Sequence, residues 1–171
     1  GSPPSEVNGE FIAGGPDCGQ TEYTYPRELE DQLRDEYDYQ VHPDHLSQLS
    51  KDDQENDCVE EIHRLIEQRF QVLEDKVESG EYTLIHATIF YINVLQHFYW
   101  DRDVVRTGWE IIDEHIGTLL GSDELDPLFV MSAHGSNRIE VEFNINTWLE
   151  EAGYLVRQAG ANDLMVQIGI I

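Results

Sequence analysis

The sequence predicts an α/β fold in which a partial parallel sheet is flanked by helices. Two stretches have the apolar spacing of amphipathic helices, and two shorter stretches are apolar without that spacing, which is typical of buried strands. Helix and strand signals alternate along the chain. Such an alternation indicates an α/β layer architecture with one core.

Residues 1–55 are predicted to be a loop-rich and weakly helical N-terminal segment. The Gly-Gly-Pro-Asp run at 14–17 is its strongest turn signal. Leu29, Leu33 and Tyr37 recur at four-residue spacing after Pro26, which predicts a short surface helix over residues 28–38. Residues 56–171 are interpreted as the α/β core segment.

The core segment contains two long helix signals. Residues 59–77 have apolar side chains at spacings of three and four, which predicts an amphipathic helix of about 20 residues that ends before Gly80. The apolar positions of this helix are Val59, Ile62, Ile66, Phe70, Leu73 and Val77. A second helix is predicted over 104–120, with Val105, Trp109, Ile112, Ile116 and Leu119 on one face. A short helix is predicted over 143–154, with Gly153 at its end.

Two apolar runs predict the strands of the sheet. Residues 82–92 are dense in β-branched and aromatic side chains without a helical stripe, which indicates a strand buried on both faces of a parallel sheet. His86, in the middle of this run, is interpreted as a hydrogen-bonded core imidazole. Residues 127–132 predict a second strand, and the small residues at 133–136 predict a loop after it.

The charge balance limits the partners of the chain. It has 35 acidic residues against 10 basic ones, a formal charge of −25, and Lys51 and Lys76 are its lysines. A phosphate backbone requires basic counter-charge, so nucleic acid is excluded as an expected partner. The acidity and the rarity of lysine indicate a salt-rich cytoplasm such as that of a halophilic archaeon. A DNA mimic is the alternative, and the scattered placement of the acids argues against it.

Membrane association and disulfide bonding are not expected. No apolar run reaches the ~20 residues that span a bilayer, and no signal-like segment opens the chain, so a cytoplasmic location is expected. Cys18 and Cys58 form no CxxC pattern, which argues against a zinc ribbon and predicts two free thiols.

A histidine follows each predicted strand. His97 comes after the first strand and His134 after the second. Ligands of open α/β sheets bind beyond the carboxyl ends of the strands, where two imidazoles can share a divalent metal. The alternative is that each imidazole only hydrogen-bonds a backbone carbonyl. His42, Asp44 and His45 form a less favoured metal-site candidate.

Two motifs carry a family resemblance. The run Leu-Phe-Val-Met-Ser-Ala-His-Gly at 128–135, followed by Phe-Asn-Ile-Asn-Thr-Trp-Leu-Glu-Glu-Ala-Gly-Tyr-Leu at 143–155, resembles an apolar strand, Ser-Asp-His-Gly and then Asn-x-Trp-Leu-x-x-x-Gly-Tyr-Leu. That pattern belongs to type I phosphodiesterases and nucleotide pyrophosphatases of the alkaline-phosphatase superfamily. Upstream, Gln-His-Phe-Tyr-Trp-Asp at 96–101 is similar to the family's Asp-x-x-x-His segment. The similarity covers residues 80–156 and implies the middle portion of an alkaline-phosphatase-like fold.

The resemblance implies a two-metal site that uses zinc or manganese on a phosphate-ester or nucleotide substrate. In this sequence His97 matches a ligand of one metal and His134 a ligand of the other. Asn93 stands where the family has a metal-binding Asp, and it offers a carbonyl oxygen without a negative charge. Ala133 stands where the family has a second Asp, and it offers no ligand atom.

Other parts of the family pattern have no match in this sequence. The Thr or Ser nucleophile, the first metal-binding Asp and the last metal-binding His are missing, so no catalytic residue is assigned. We therefore expect a fragment or a degenerate form of a metal-dependent phosphodiesterase, inactive by itself, with weak or no metal binding. Ala133 reflects either a natural loss or a change made to silence the site. The alternative is a non-catalytic acidic protein-interaction domain that exposes Phe98, Tyr99 and Trp100.

Overall fold

The predicted α/β fold is wrong, because the described part of the chain is mainly helical. A computed structural model describes residues 4–15, 18–50 and 56–156. These residues form five α-helices, and their one sheet is a two-stranded antiparallel pair rather than a parallel sheet flanked by helices. The chain divides into two compact units, residues 1–136 and 137–171, each described here by itself.

The elements of the first unit follow one another in a simple order. They are β1 (Phe11–Ile12), β2 (Thr24–Tyr25), α1 (Glu28–Tyr37), a 3-10 turn (Leu46–Gln48), α2 (Asp57–Glu78), α3 (Tyr91–Tyr99) and α4 (Asp103–Leu120). The helices predicted over 28–38, 59–77 and 104–120 are therefore confirmed, with ends displaced by at most two residues. None of the described helices has the length and the apolar character needed to cross a membrane.

Helices α2, α3 and α4 pack against one another around the main core. The buried side chains of α2 recur at helical spacing, which places them on one face. The core side chains from the three helices are Cys58, Val59, Ile62, Leu65, Ile66, Phe70, Val77, Tyr91, Ile92, Leu95, Tyr99, Val105, Ile112 and Leu119. This cluster fixes which side of α3 is buried and which side is exposed.

The N-terminal end of α2 and the close packing of α4 on α3 have identifiable local causes. The Asn56 side chain caps α2 by accepting a hydrogen bond from the Val59 amide at 3.1 Å. The contact between α3 and α4 depends on Gly108, since a Cβ at this position would lie 2.9 Å from Ile92 Cδ1 and 3.1 Å from Leu95 Cδ1. A larger residue at position 108 would push the two helices apart.

A second, smaller core joins the N-terminal segment to α2. It contains Ala13, Tyr23, Leu29, Leu33, Val41 and Val72. Buried Gln68 of α2 ties the loop after α1 to this core. Its amide nitrogen donates to the carbonyls of Tyr37 and Asp38 at 3.0 and 2.9 Å, and its oxygen accepts from the Gln40 amide at 3.0 Å. The segment is thus held by specific bonds as well as by apolar contact.

Both predicted strands are absent from the structure. Residues 82–90 have no regular secondary structure, and residues 91–99 are helical. Tyr91, Ile92, Leu95 and Tyr99 are buried, and their spacing fits a helix packed on α2 and α4. Residues 127–132 likewise form no strand. A buried strand requires neighbouring strands for its backbone groups, and the described residues contain none beside either run.

The second unit contains the short helix predicted over 143–154. Helix α5 spans Ile145–Glu151, and the Asn144 side chain caps it by accepting from the Thr147 amide at 3.1 Å. Gly153 follows with a φ of +78°, and the amides of Tyr154 and Leu155 donate to the Leu149 carbonyl. This arrangement is a glycine C-cap, as the sequence predicted.

Candidate functional site

Asn93 and His97 lie one turn apart on α3. The apolar side chains of this helix face α2 and α4, so positions 93 and 97 lie on another side of it. Asn93 is half-buried and His97 is exposed. Residues four apart on a helix are neighbours at its surface. The structure therefore brings together an amide oxygen and an imidazole, although on a helix rather than in the predicted loop after a strand.

His134 lies in the irregular stretch before the boundary between the two units. It is exposed, and its Nδ1 lies 3.2 Å from the Gly135 carbonyl oxygen. Ser132 Oγ donates to the His134 carbonyl, and Ala133 is exposed beside it. In the described part of the chain, no hydrogen bond links His134 to α3.

The predicted convergence of His97 and His134 at one sheet edge has no structural basis, because the sheet does not form. Residues 4–15, 18–50 and 56–156 contain no group of three or more histidine, cysteine, aspartate or glutamate residues that could hold a metal ion. What the structure supplies is a pair of ligand types on one helix. That pair can contribute at most part of the coordination shell of a divalent ion.

The remaining histidines have local partners. His42 bonds the Cys18 carbonyl and the Tyr91 hydroxyl, so it does not converge with His45 on a metal. His63 Nε2 lies 2.8 Å from the Val104 carbonyl, and His115 Nδ1 lies 2.8 Å from Glu74 Oε1. The expectation for His86 is wrong, because its side chain is exposed rather than in a core.

The contact between His45 and Glu61 is shorter than the contact between His115 and Glu74. His45 Nδ1 lies 2.6 Å from Glu61 Oε1, and the His45 amide donates to Glu61 Oε2 at 3.1 Å. The hydrogen bond to Glu61 raises the pKa of His45. Burial of Glu61 opposes a downward shift, but the hydrogen bonds from His45 outweigh it and lower the pKa of Glu61.

The aromatic cluster at the C-terminal end of α3 is only partly exposed. Phe98 is exposed, Trp100 is half-buried and Tyr99 is buried in the main core. The expected exposure of all three rings is therefore wrong for Tyr99. The Tyr99 hydroxyl accepts hydrogen bonds from the Ser50 amide and the Asn56 side chain, which makes it a structural anchor.

A cavity of about 720 Å³ in the first unit is a feature that the sequence did not predict. Its walls come from residues 10–15 around β1, from one side of α2 and from the stretch 82–91, with Tyr39 also contributing. The side chains at its wall include Phe11, Leu73, Ile85 and Phe90, so much of the lining is apolar. Volumes of this size accommodate small organic ligands.

Arg69 is the cation at the wall of this cavity. Its Nη1 donates to the Leu65 carbonyl at 3.4 Å and to Gln68 Oε1 at 3.0 Å, and its Nη2 donates to the Val41 carbonyl at 3.0 Å. Its guanidinium carbon lies 4.6 Å from the centre of the Tyr39 ring. Among the described residues, no carboxylate lies within ion-pair distance of Arg69.

The neighbours of Arg69 do not neutralise its charge. Burial raises the pKa of Tyr39, and it raises the pKa of Tyr91 to about 12, so both phenols are neutral at ordinary pH. Lys76, the other cation at the wall, does have a counter-ion, because its Nζ lies 2.7 Å from Glu10 Oε2. The cavity therefore contains one paired cation and one cation without a carboxylate.

A sequence signal for this site exists at position 69. Residues 65 and 66 lie one turn before Arg69, and residues 72 and 73 lie one turn after it, and all four are apolar. An arginine within the apolar stripe of an amphipathic helix is unusual. Nothing in the sequence, however, indicates that β1 and the 82–91 stretch close a cavity over it.

The chain was compared with family models, with curated proteins and with solved structures, and none of these comparisons gives a match.

Proposed function

We propose that the chain is part, or a degenerate form, of a metal-dependent phosphodiesterase or nucleotide pyrophosphatase, and that it is inactive by itself. The observation that carries the proposal is the pair of motifs at 93–101 and 128–135. The position of Asn93 and His97 on one side of α3 supports it, because it places two ligand types close together. The helical fold adds no support. The substrate class would be a phosphate ester or a nucleotide.

The ligand set explains why metal binding would be weak. His97 and His134 supply neutral nitrogen donors, and Asn93 supplies a neutral oxygen. Relative to the family pattern, the change to Asn93 and Ala133 removes about two negative charges from around the ions. Without a nucleophile, a bound ion would polarise a phosphate ester but would not complete its displacement.

Calorimetry with Zn²⁺ tests the proposal on the chain and three variants. Ala133→Asp is expected to tighten binding by about tenfold, or ~1.4 kcal/mol, and Asn93→Asp in the same chain by about tenfold more. His97→Ala in the double variant should reverse most of the gain. The matched control is His86→Ala, which removes an exposed histidine outside the motifs. No variant should hydrolyse a phosphodiester.

Equal Zn²⁺ affinity in all variants, or equal effects of His97→Ala and His86→Ala, would show that these positions do not form a metal site. The proposal would then be abandoned together with the zinc or manganese requirement. A cytoplasmic location belongs to the same proposal, and the acidic, lysine-poor composition supports it.

A non-catalytic interaction domain is the second candidate, and one observation favours it. Phe129, Val130 and Met131 are consecutive and largely exposed in a chain with a formal charge of −25. A contiguous apolar patch of this kind marks a contact surface for another protein, and the charge indicates a basic partner. Thermal melts with divalent metal separate the candidates, because a ligand of the folded state must raise the melting temperature.

A further inference from the structure

We infer that the cavity beside Arg69 is a binding site for a small organic monocarboxylate, whose carboxylate pairs with Arg69 and whose apolar body fills the cavity. This site is separate from the proposed metal ligands, because Asn93, His97 and His134 do not line the cavity. The inference depends on the cavity, the charges at its wall and the unused hydrogen-bond donors of Arg69.

The unused donors come from the geometry of the guanidinium group. An arginine has five N–H donors, and three described acceptors account for the bonds of Nη1 and one bond of Nη2. Nε–H and the second N–H of Nη2 are therefore available. Nε and Nη2 lie on one edge of the planar group, and this edge is the fork that a carboxylate binds with two hydrogen bonds.

The charge at the wall favours one negative charge on the ligand. A buried cation without a counter-ion is costly, although 35 acidic residues in the chain could have supplied one. The pair between Lys76 and Glu10 has no net charge, so Arg69 leaves the cavity with one uncompensated positive charge. A monoanion offsets this charge, whereas a phosphate dianion would leave one negative charge beside a largely apolar lining.

The lining favours a flat apolar body. Phe11, Leu73, Ile85 and Phe90 lie at the wall, together with the Tyr39 and Tyr91 rings that flank Arg69. Stacking on aromatic side chains orients planar groups. Benzoate is therefore a suitable probe, and benzamide is its neutral control of nearly the same shape.

The experiment measures binding of benzoate and benzamide to the full chain by NMR titration at constant ionic strength. Benzoate is expected to bind at least tenfold more tightly than benzamide, with shifts concentrated at residues 82–91. Arg69→Gln should abolish the difference between the two compounds. Arg69→Lys should retain only part of it, because lysine keeps the charge but loses the planar fork. Arg106→Gln is the matched control, since Arg106 is an exposed arginine paired with Asp103 and Glu110.

Two further measurements keep the test decisive if the Arg69 variants unfold. Ala87→Phe adds a large side chain at an exposed lining position and should weaken benzoate binding without removing Arg69. Acetate and inorganic phosphate should bind more weakly than benzoate, because they lack the apolar body. If the parent chain binds benzoate and benzamide equally, or neither, Arg69 is only a structural clamp for the Val41 carbonyl and the inference is wrong.

Discussion

Helix α2 and the stretch 127–136 both contain large apolar side chains, and they bury them to opposite extents. Phe70 in α2 is 3% exposed, whereas Phe129 is 81% exposed. Helix α2 satisfies its own backbone groups and repeats its apolar residues at the period of one face, which α3 and α4 cover. In these two regions, apolar side chains are buried where a periodic face meets partner elements, and apolar composition by itself does not bury them.

The stretch 82–89 resembles 127–136, because both lack regular secondary structure. These two segments are the irregular stretches of the first unit. Neither forms a backbone–backbone hydrogen bond with a described residue of the first unit. A few of their side chains, such as Ile85 and Leu128, pack against the main core, whereas Leu84 and Met131 remain exposed. Their attachment is thus by single side chains, and their backbones remain open to solvent.

Hydrogen exchange is expected to give the largest difference between the two kinds of region. Amides of Leu65, Ile66 and Ile112 lie inside core helices and should exchange only on unfolding, on the order of 10³-fold or more slowly than free amides. Amides of the irregular stretches should exchange at close to the free rate. Protection of residues 128–131 comparable to that of α2 would break the comparison.

A matched pair of phenylalanine substitutions should separate the regions by free energy. Phe70→Ala removes a buried ring that stacks on His115 at a centroid distance of 4.8 Å, and should lower the free energy of unfolding by about 3–5 kcal/mol. Phe129→Ala should change it by no more than ~0.5 kcal/mol. Denaturant melts of the two variants provide the measurement, and similar losses would show that Phe129 is buried in solution.

Two glycines of α4 should respond to alanine with opposite signs. Gly108→Ala places a methyl group against Ile92 and Leu95 and should destabilise the fold by about 1–3 kcal/mol. Gly117→Ala meets no atom within 4 Å and should stabilise by about 0.5–1 kcal/mol, since alanine favours helix. Thermal melts that move in the same direction for both variants would contradict the close packing of α3 on α4.

The same distinction explains what the sequence could and could not predict. Helices α1, α2, α4 and α5 were predicted because their apolar spacing is a local signal, as are Pro26 before α1, Gly80 after α2 and Gly153 after α5. The strands over 82–92 and 127–132 were wrong because a strand depends on partners elsewhere in the chain, which a single run does not reveal. Helix α3 was not predicted, because its first apolar residues, Tyr91 and Ile92, continue the β-branched and aromatic run that begins at residue 82.

The candidate sites divide in the same way. Asn93 and His97 were identified from their motif. Their four-residue spacing makes them neighbours on α3, and this proximity depends only on local structure. Their predicted convergence with His134 depended on a sheet that does not form. The cavity at Arg69 was not predicted, because its wall combines residues 10–15, α2 and 82–91, which are distant in sequence. Only Arg69 itself left a local signal.

The smallest expected effect concerns pH and compares a histidine bound to α2 with one in an irregular stretch. The raised pKa of His45 means that its stabilising effect is complete below the ordinary histidine pKa of about 6.5 and is lost as pH rises through the raised value. The lowered pKa of Glu61 gives a contribution that is present above the ordinary glutamate pKa of about 4.3 and is lost on acidification.

The pair of His45 and Glu61 therefore stabilises the fold most between about pH 4.3 and 6.5. Denaturant melts from pH 4 to 9 should show that His45→Gln reduces the loss of stability as the pH rises above 6.5. His86→Gln, which replaces an exposed histidine outside this contact, is the matched control. Identical profiles for both variants would mean that the contact between His45 and Glu61 does not persist in solution.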